Sequence, residues 1–442
     1  MCHENVGPVP TVQTGGLPGA PSPVSVALRW FSMSQPARTA PQPDDRLARF
    51  RAMMARLDVA GDPARAIDRD LYVSFPGGVG AKIAGRLELR PASTHLVVGG
   101  VGSGKTTELL QVRARLANRA EIKAIYIDVS LRHDIAKMVP GVVSVQAGVA
   151  LAEFVVALKT SQGEASSAVD RAHAELRRLA DGYWYHPDEY SDDDGTVFSR
   201  GILEGPDPIS GTAGAVRTQL VPLMKSLRGV GVRCVMLLDG LDRLSDIEAF
   251  QQIVDEDVKA LASMDLGVVL VGPLRSLYRG DHLVAEAFDY SYHQPWRDPH
   301  SDKRAEALLI EVVRRRLTAD ELSDQGLRLL VRSSGGVLRD LIAIAQLACE
   351  EAYISGTDVV GVPEVASAVD AFGRKHVLGL QTDEIEVLQR VRKGGSFVQT
   401  SDKDLALLMT RRVLEYATDS GPHYSVHPTI EPLLSQMADV PF

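Results

Sequence analysis

The sequence predicts an α/β protein. A parallel sheet with helices on both faces is followed by an all-helical segment and a small C-terminal unit of helices and a hairpin. Three observations predict it. Short continuous apolar runs, Leu96–Val98, Cys234–Leu238 and Gly267–Val271, read as strands buried on both faces. These runs alternate with stretches of helical periodicity, which argues crossover units and hence a parallel sheet. From Asp302 only helical periodicity remains, until two short strand-like runs flank a turn near the C-terminus.

The chain has 442 residues and 45% hydrophobic content, enough for two or three domains with sizeable cores. Its net charge of −9 excludes a globally basic surface, so nucleic acid would have to be met by a local patch. Cys2, Cys234 and Cys349 are too scattered for a disulfide framework or a metal site, which suits a reducing cytoplasm. Cys234 and Cys349 sit in apolar runs and read as core packing. No apolar run reads as membrane-spanning, and no internal repeat is visible.

Residues 1–45 are rich in Pro, Gly, Ser and Thr and read as a disordered extension without the features of a secretion signal. Met33 opens a more ordinary start, so Met1–Ser32 reads as a mis-assigned or dispensable extension. Asp44–Leu57 has helical spacing, Tyr72–Phe75 is strand-like, and Ile83–Leu89 leads towards the glycine-dense stretch that follows. Further on, Glu108–Asn118 is helical and Ile122–Asp128 is a strand ending in an acid. Ile135–Thr160, Glu164–Leu179 and Ala213–Leu227 are helical. The aromatic and acidic stretch Tyr183–Asp194 reads as a solvated insertion rather than a metal site. Tyr290–Pro295 reads as a fifth strand. Asp302–Leu317, Ala319–Arg332 and Val337–Tyr353 carry apolar residues at helical spacing. Domain expectations are an ATPase core over 46–300, a helical lid over 301–375 and a last unit over 376–442.

That last unit reads helix (Gln381–Val391), helix (Asp402–Met409), hairpin (Val413–Tyr416 and Tyr424–His427), final helix, which is a winged-helix pattern. Arg390, Arg392, Lys393, Lys403, Arg411 and Arg412 give it local positive charge, interleaved with acids. DNA contact and a solvated mixed-charge face are both open readings.

The chemistry concentrates in Thr94–Thr107, THLVVGGVGSGKTT. Gly99, Gly104, Lys105 and Thr106 fill the template G-x-x-x-x-G-K-[ST], between a strand and a helix as a phosphate-binding loop requires. The backbone of Gly99, Gly100, Val101, Gly102, Ser103 and Gly104 can curl so that its N–H groups face phosphate oxygens at a helix N-terminus. Lys105 supplies a point charge for the β- and γ-phosphates, Thr106 a hydroxyl for Mg²⁺, and Thr107 continues the cradle. Downstream, Val232–Arg243 ends a buried strand in Asp239, placed to hold Mg²⁺ with Thr106. Asp242 is placed to orient attacking water. Arg275 just beyond a later strand and Arg339 at the start of a helix are candidates for reaching the nucleotide. The expected ligands are ATP or ADP with Mg²⁺.

These motifs resemble those of the AAA+/STAND superfamily of P-loop ATPases over about Tyr72–Phe442, with NACHT/NB-ARC-like signalling ATPases and origin-recognition-like ATPases as the nearest types. GGVGSGKTT resembles the Walker A loop and LLDGLD a Walker B whose second acid is displaced to Asp242. SGGVLRD (Ser334–Asp340) resembles the lid motif, and YSVHP (Tyr424–Pro428) the winged-helix histidine motif, which implies that His427 contacts bound ADP. The sequence also departs from the pattern. Arg243 stands where many NACHT proteins have a further acid, Gly240 where ordinary AAA+ motors have glutamate, and Val337 and Leu338 where a proline is usual. The resemblance implies a slowly hydrolysing, STAND-type nucleotide switch regulating a separately encoded protein partner, in a setting such as bacterial signalling or phage defence. The alternative is a DNA-binding AAA+ ATPase of the origin-recognition or transposition type. A homo-oligomer is compatible with either, and a membrane with neither.

Overall fold

The computed structural model describes residues 43–58, 71–73, 78–163, 166–181, 212–278, 284, 286–394, 397, 401–418 and 421–438. In chain order, helices α1 (Pro43–Arg56) and α2 (Val79–Leu89) precede strand β1 (Thr94–Val98) and α3 (Lys105–Leu116). Strand β2 (Ile122–Asp128) leads to α4 (Val142–Ser161), α5 (Ser167–Ala180) and α6 (Thr212–Gly229). Then come β3 (Arg233–Asp239), α7 (Ile247–Ile253), β4 (Gly267–Gly272) and β5 (Tyr290–His293).

The five strands form one parallel sheet in the order β2-β3-β4-β1-β5. The central strands β1, β3 and β4 are covered on both faces, which is why their apolar runs are continuous, whereas the outer strands β2 and β5 leave Lys123, Ser291 and His293 exposed. Successive side chains point to opposite faces. Leu96 and Val98, Met236 and Leu238, and Val268 and Leu270 enter the core beneath α4–α6. Val97, Val235, Leu237, Val269 and Val271 enter the core beneath α2 and α3. Strand β4 lies between β1 and β3, so the phosphate loop after Val98 and the acid Asp239 emerge from the same, carboxyl, edge with one strand between them.

Helix α4 corrects one expectation. It is long and apolar enough to cross a membrane by length and composition alone. Here its apolarity has another cause: eleven of its residues are buried, packed beneath α5 and α6. Its N-terminus is capped from a distance. Asp257, fully buried in a π-helical turn (Val254–Val258), accepts hydrogen bonds from Gly141 N–H at 2.8 Å and Ser144 Oγ at 2.7 Å. Burial dominates these bonds and pushes its pKa up to about 7. A carboxyl with a raised folded-state pKa binds its proton more tightly folded than unfolded. Its stabilisation is therefore complete below the unfolded value of about 4 and is lost as pH rises through about 7. Asp257→Asn should remove that slope. The wild-type minus variant stability, from urea unfolding at pH 5 and pH 8, should fall by on the order of a few kcal/mol. A pH-independent difference would rule out the buried-acid assignment.

The chain continues into a helical lid of α8 (Lys303–Arg314), α9 (Asp324–Ser333), α10 (Leu338–Ser355) and α11 (Val362–Val377). Two expectations change here. α1, counted within the 46–300 core, joins the lid instead: Phe50, Met53 and Leu57 pack with Leu341, Ile344 and Cys349, and Arg46 bonds the carbonyls ending α10. α11 was not anticipated, although Pro363 near its start and the spacing of Val365, Ala368 and Phe372 signal it. Of Tyr72–Phe75, the described residues 72–73 carry no strand; residues 74–75, Tyr183–Asp194 and residues 1–42 lie outside the described residues.

The last unit has the expected pattern: α12 (Thr382–Arg392), α13 (Asp402–Met409), the antiparallel hairpin β6 (Val413–Thr418) and β7 (Gly421–Val426), and α14 (Glu431–Ala438). Its core is not its own. Leu274 and Trp296 from the sheet domain and Val337 from the lid join Leu388, Leu408, Leu414 and Ile430 in one buried cluster. The winged helix is docked on the sheet domain and the lid.

Candidate functional site

The glycines of the phosphate loop are demanded by their surroundings. Gly102 and Gly104 have φ of 82° and 93°, which disfavours any side chain. A Cβ on Gly100 would lie 1.9 Å from the Trp296 ring, so the loop backbone runs flat against the indole. Trp296 Nε1 donates to Val101 O at 3.2 Å, and Gln294 Nε2 to Ser103 O at 2.7 Å. From the other side, Leu338 N–H donates to Gly102 O at 3.0 Å. The loop is thus held by a sheet-edge segment and by the first residue of lid helix α10.

Lys105 is buried, not exposed as the loop position suggests. Its Nζ donates to Gly99 O at 2.9 Å and Gly100 O at 3.0 Å and pairs with Asp242 Oδ2 at 2.9 Å. Asp239, the last residue of β3, is buried as well. It accepts from Tyr126 Oη at 3.0 Å and Gly240 N–H at 2.8 Å. Burial pushes its pKa up, against hydrogen bonds that include one from Thr106 and alongside the repulsion of Asp242. Gly240 has φ of 92°, and a Cβ there would strike Asp128 Oδ1 at 2.6 Å. A side chain there would strain the left-handed backbone and push the Asp128 carboxylate off Ser130. Two further acids near the site are already engaged: Glu108 accepts from Gly80 N–H and Asp128 from Ser130.

The residues present fit a nucleotide with Mg²⁺. Ser103 Oγ is buried inside the loop with no hydrogen-bond partner among the described residues. Asp239 and the Thr106 hydroxyl, adjacent to each other, form the oxygen donor set a hard divalent cation prefers. No cluster of three or more His, Cys, Asp or Glu able to hold a metal occurs among the described residues, so such an ion would rely on the nucleotide and water for its remaining ligands.

The candidates further along the chain divide. Arg339 stands against the loop: a Cβ on Gly102 would come within 3.1 Å of its Cβ. The charges of Arg243 and Arg411 act on it, with Asp242 and Asp340 opposing them. Arg275, in a 3₁₀ turn (Leu274–Leu277) after β4, reaches the carboxyl edge of the sheet but makes no ion pair among the described residues. His427 is fully buried, and its nitrogens face Thr429 Oγ1 at 2.8 Å and Asp340 Oδ2 at 3.5 Å rather than the phosphate loop. Its side chain thus sits between the winged helix and Asp340 of the lid. Asp340 also takes a two-pronged bond from Arg411, at 2.8 Å and 3.0 Å. Burial opposes the charge on Asp340, yet His427 and Arg411 together hold its pKa below the usual carboxylate value. His427→Ala should therefore loosen the clamp, costing about 1–3 kcal/mol, while leaving the ratio of ADP to ATP-analogue affinity unchanged. Thermal unfolding and the pair of dissociation constants test this; a selective loss of ADP affinity would restore direct contact.

Sequence reasoning missed the second docking point. Glu415 on β6 is buried and accepts from Tyr278 Oη at 2.6 Å, with His293 Nε2 at 3.3 Å. Burial works against its charge, but His293, Tyr278 and Tyr424 hold its pKa low. Next to it, Trp296 and Tyr416 form a parallel bridge, and Tyr416 Oη donates to Gly335 O at 2.8 Å. Nothing in YSYHQPW marked these residues as partners of a strand more than a hundred positions away.

Sheet order, glycine loop, lid and winged helix define the class of fold: a parallel α/β sheet of P-loop type followed by a helical lid and a C-terminal winged helix. No protein-family model matches the chain, and no curated protein matches it. Among solved structures it is similar to the ORC2 protein of Aeropyrum pernix in ADPNP–ADP complexes, at 14% identity and TM-score 0.41 over 81% of this chain and 93% of that one. It is also similar to Cdc6p of Pyrobaculum aerophilum, at 12% identity and TM-score 0.40 over 83% and 96%. A third is the RuvB Holliday junction branch migration motor of Thermotoga maritima, at 14% and 0.40 over 82% and 93%. At such identities these likenesses concern the fold alone.

Proposed function

We propose that the chain is a Mg²⁺-dependent ATPase that works as a nucleotide switch on its own winged helix. One observation carries this reading. The groups that hold the phosphate loop, Trp296 on Val101 and Val337–Leu338 on Gly102, belong to segments whose side chains also complete the winged-helix core. A change in the loop on phosphate binding would be felt by these groups, and through them by the hairpin. Lys105 would take the β- and γ-phosphates, Asp239 and Thr106 the Mg²⁺, which supplies charge neutralisation, and Asp242 the attacking water. Arg339 would read the nucleotide from the lid.

The partner that receives the switched surface is the finer question. DNA suits a winged helix, and Arg390, Arg392 and Lys393 are exposed on α12 and its end without ion pairs among the described residues. The remaining basic residues are occupied: Lys403 by Asp383, Arg411 by Asp340, and Arg412 by the carbonyls of His376 and Leu378. A DNA-linked ATPase of the origin-recognition kind is therefore the reading favoured for the partner. A separately encoded protein effector is the second reading, favoured by the displaced acid Asp242 and the slow turnover it implies. Steady-state ATPase activity with and without duplex DNA tests both. Strong stimulation supports DNA, slow unstimulated turnover supports a protein partner, and nucleotide binding with no turnover reduces the chain to a binding module.

A further inference from the structure

An ammonium group has three N–H donors, and all three of Lys105 are spent. Two go to backbone carbonyls, Gly99 O and Gly100 O, at 2.9 Å and 3.0 Å. The third goes to Asp242 Oδ2 at 2.9 Å. The Lys105 side chain is only 3% exposed, so no water-filled approach to the ammonium remains. A phosphate oxygen can be accepted only if one of these partners leaves. The carbonyls are fixed within the loop, Gly100 by the Trp296 ring against it. Asp242 is different: it ends a side chain on a short 3₁₀ turn (Leu241–Arg243) and is partly open to solvent.

We infer that Asp242 is an internal stand-in for the terminal phosphate, which holds Lys105 until ATP displaces it. The inference rests on the nucleotide reading of the site and extends it to how occupancy is sensed. The like charge of an arriving γ-phosphate expels the carboxylate from Lys105. No bond is made or broken covalently; one acceptor on Lys105 is exchanged for another. A cation at hand to receive the carboxylate is Arg339, whose charge Asp242 already feels. Arg339 opens helix α10, next to Leu338, whose N–H holds the loop, and Asp340, which holds the winged helix. Displacement of Asp242 therefore changes the charge balance at the lid residue lying between the loop and the winged-helix clamp. It also frees the acid for water only when a γ-phosphate is present, which couples substrate arrival to assembly of the hydrolytic residues.

The test compares dissociation constants for a non-hydrolysable ATP analogue and for ADP, with Mg²⁺, in the full chain. Asp242→Asn removes the competing charge but keeps the side-chain shape; Asp242→Ser removes the competitor altogether and serves if the first variant misfolds. Both should bind the ATP analogue roughly tenfold or more tightly than wild type, with a smaller gain for ADP, although turnover falls. Unchanged or weaker analogue binding in a folded variant overturns the inference. The reading of the site is judged separately by Lys105→Ala. If that variant loses nucleotide while the Asp242 variants gain nothing, the loop is a nucleotide site and only the stand-in role is wrong. If wild type binds no nucleotide, both fall together.

Discussion

Lys105→Ala should weaken binding of ATP and ADP by at least about 10²-fold, or roughly 2.7 kcal/mol, by isothermal titration calorimetry. The size follows from the site. Lys105 is the one cation inside the loop, and its ammonium is already positioned by Gly99 O and Gly100 O, so little ordering remains to be done when phosphate arrives. The fold is not expected to be indifferent. Because the side chain is buried and paired, alanine leaves Asp242 without its cation and two carbonyls without a donor. Asp242 is partly solvated and can relax towards Arg339, so the stability loss should stay near 1–2 kcal/mol, well below that for a fully enclosed pair. A Lys105→Met variant, which keeps the apolar stem, should lose nucleotide to the same extent and stability to a smaller one. Binding within a few-fold of wild type in either folded variant would remove the phosphate-loop assignment.

How much of this was readable in advance depends on whether the determining contacts are local. Strands β1, β3 and β4 were legible because a strand buried on both faces must be apolar without interruption, and that signature needs no knowledge of neighbours. The loop was legible because its glycines and Lys105 answer to phosphate geometry within a dozen residues. Helix α1 misled because its spacing reports an apolar face but not the surface that face meets; the lid, not the sheet, completes it. The cap on α4 was hidden because Asp257 and Gly141 are 116 residues apart. The same distance problem hid the docking of the winged helix. His427 has the sequence context of a nucleotide contact, yet its bond to Thr429 and its 3.5 Å approach to Asp340 depend on where α10 and the hairpin come to rest. Trp296 is separated by 195 residues from nothing more distinctive than Val101, and its value as a bridge exists only after folding.

Asp239→Asn should lower Mg²⁺-dependent turnover by about 10²-fold or more while leaving the fold intact. The amide is nearly isosteric with the carboxylate. Its oxygen can still accept from Gly240 N–H, so the end of β3 and the left-handed turn at Gly240 should survive. Tyr126 Oη can re-orient towards the sheet edge at small cost, since Tyr126 itself is only partly buried. What cannot be replaced is the charge. Burial makes the ionised form of Asp239 expensive and pushes its pKa up, and among the described residues it forms no ion pair. A divalent cation held by Asp239 and the Thr106 hydroxyl would neutralise that charge, and this is where the free energy for binding the cation should come from. The variant, relieved of an unpaired buried charge, should be as stable as wild type or slightly more so without Mg²⁺, and should lose the stabilisation that Mg²⁺–ATP confers on wild type. Thermal unfolding with and without Mg²⁺–ATP, alongside steady-state turnover, separates these effects. If the variant keeps wild-type turnover and the full Mg²⁺–ATP shift, Asp239 is a buried strand-end acid only, and the cation must be held by Thr106 and the phosphates without it.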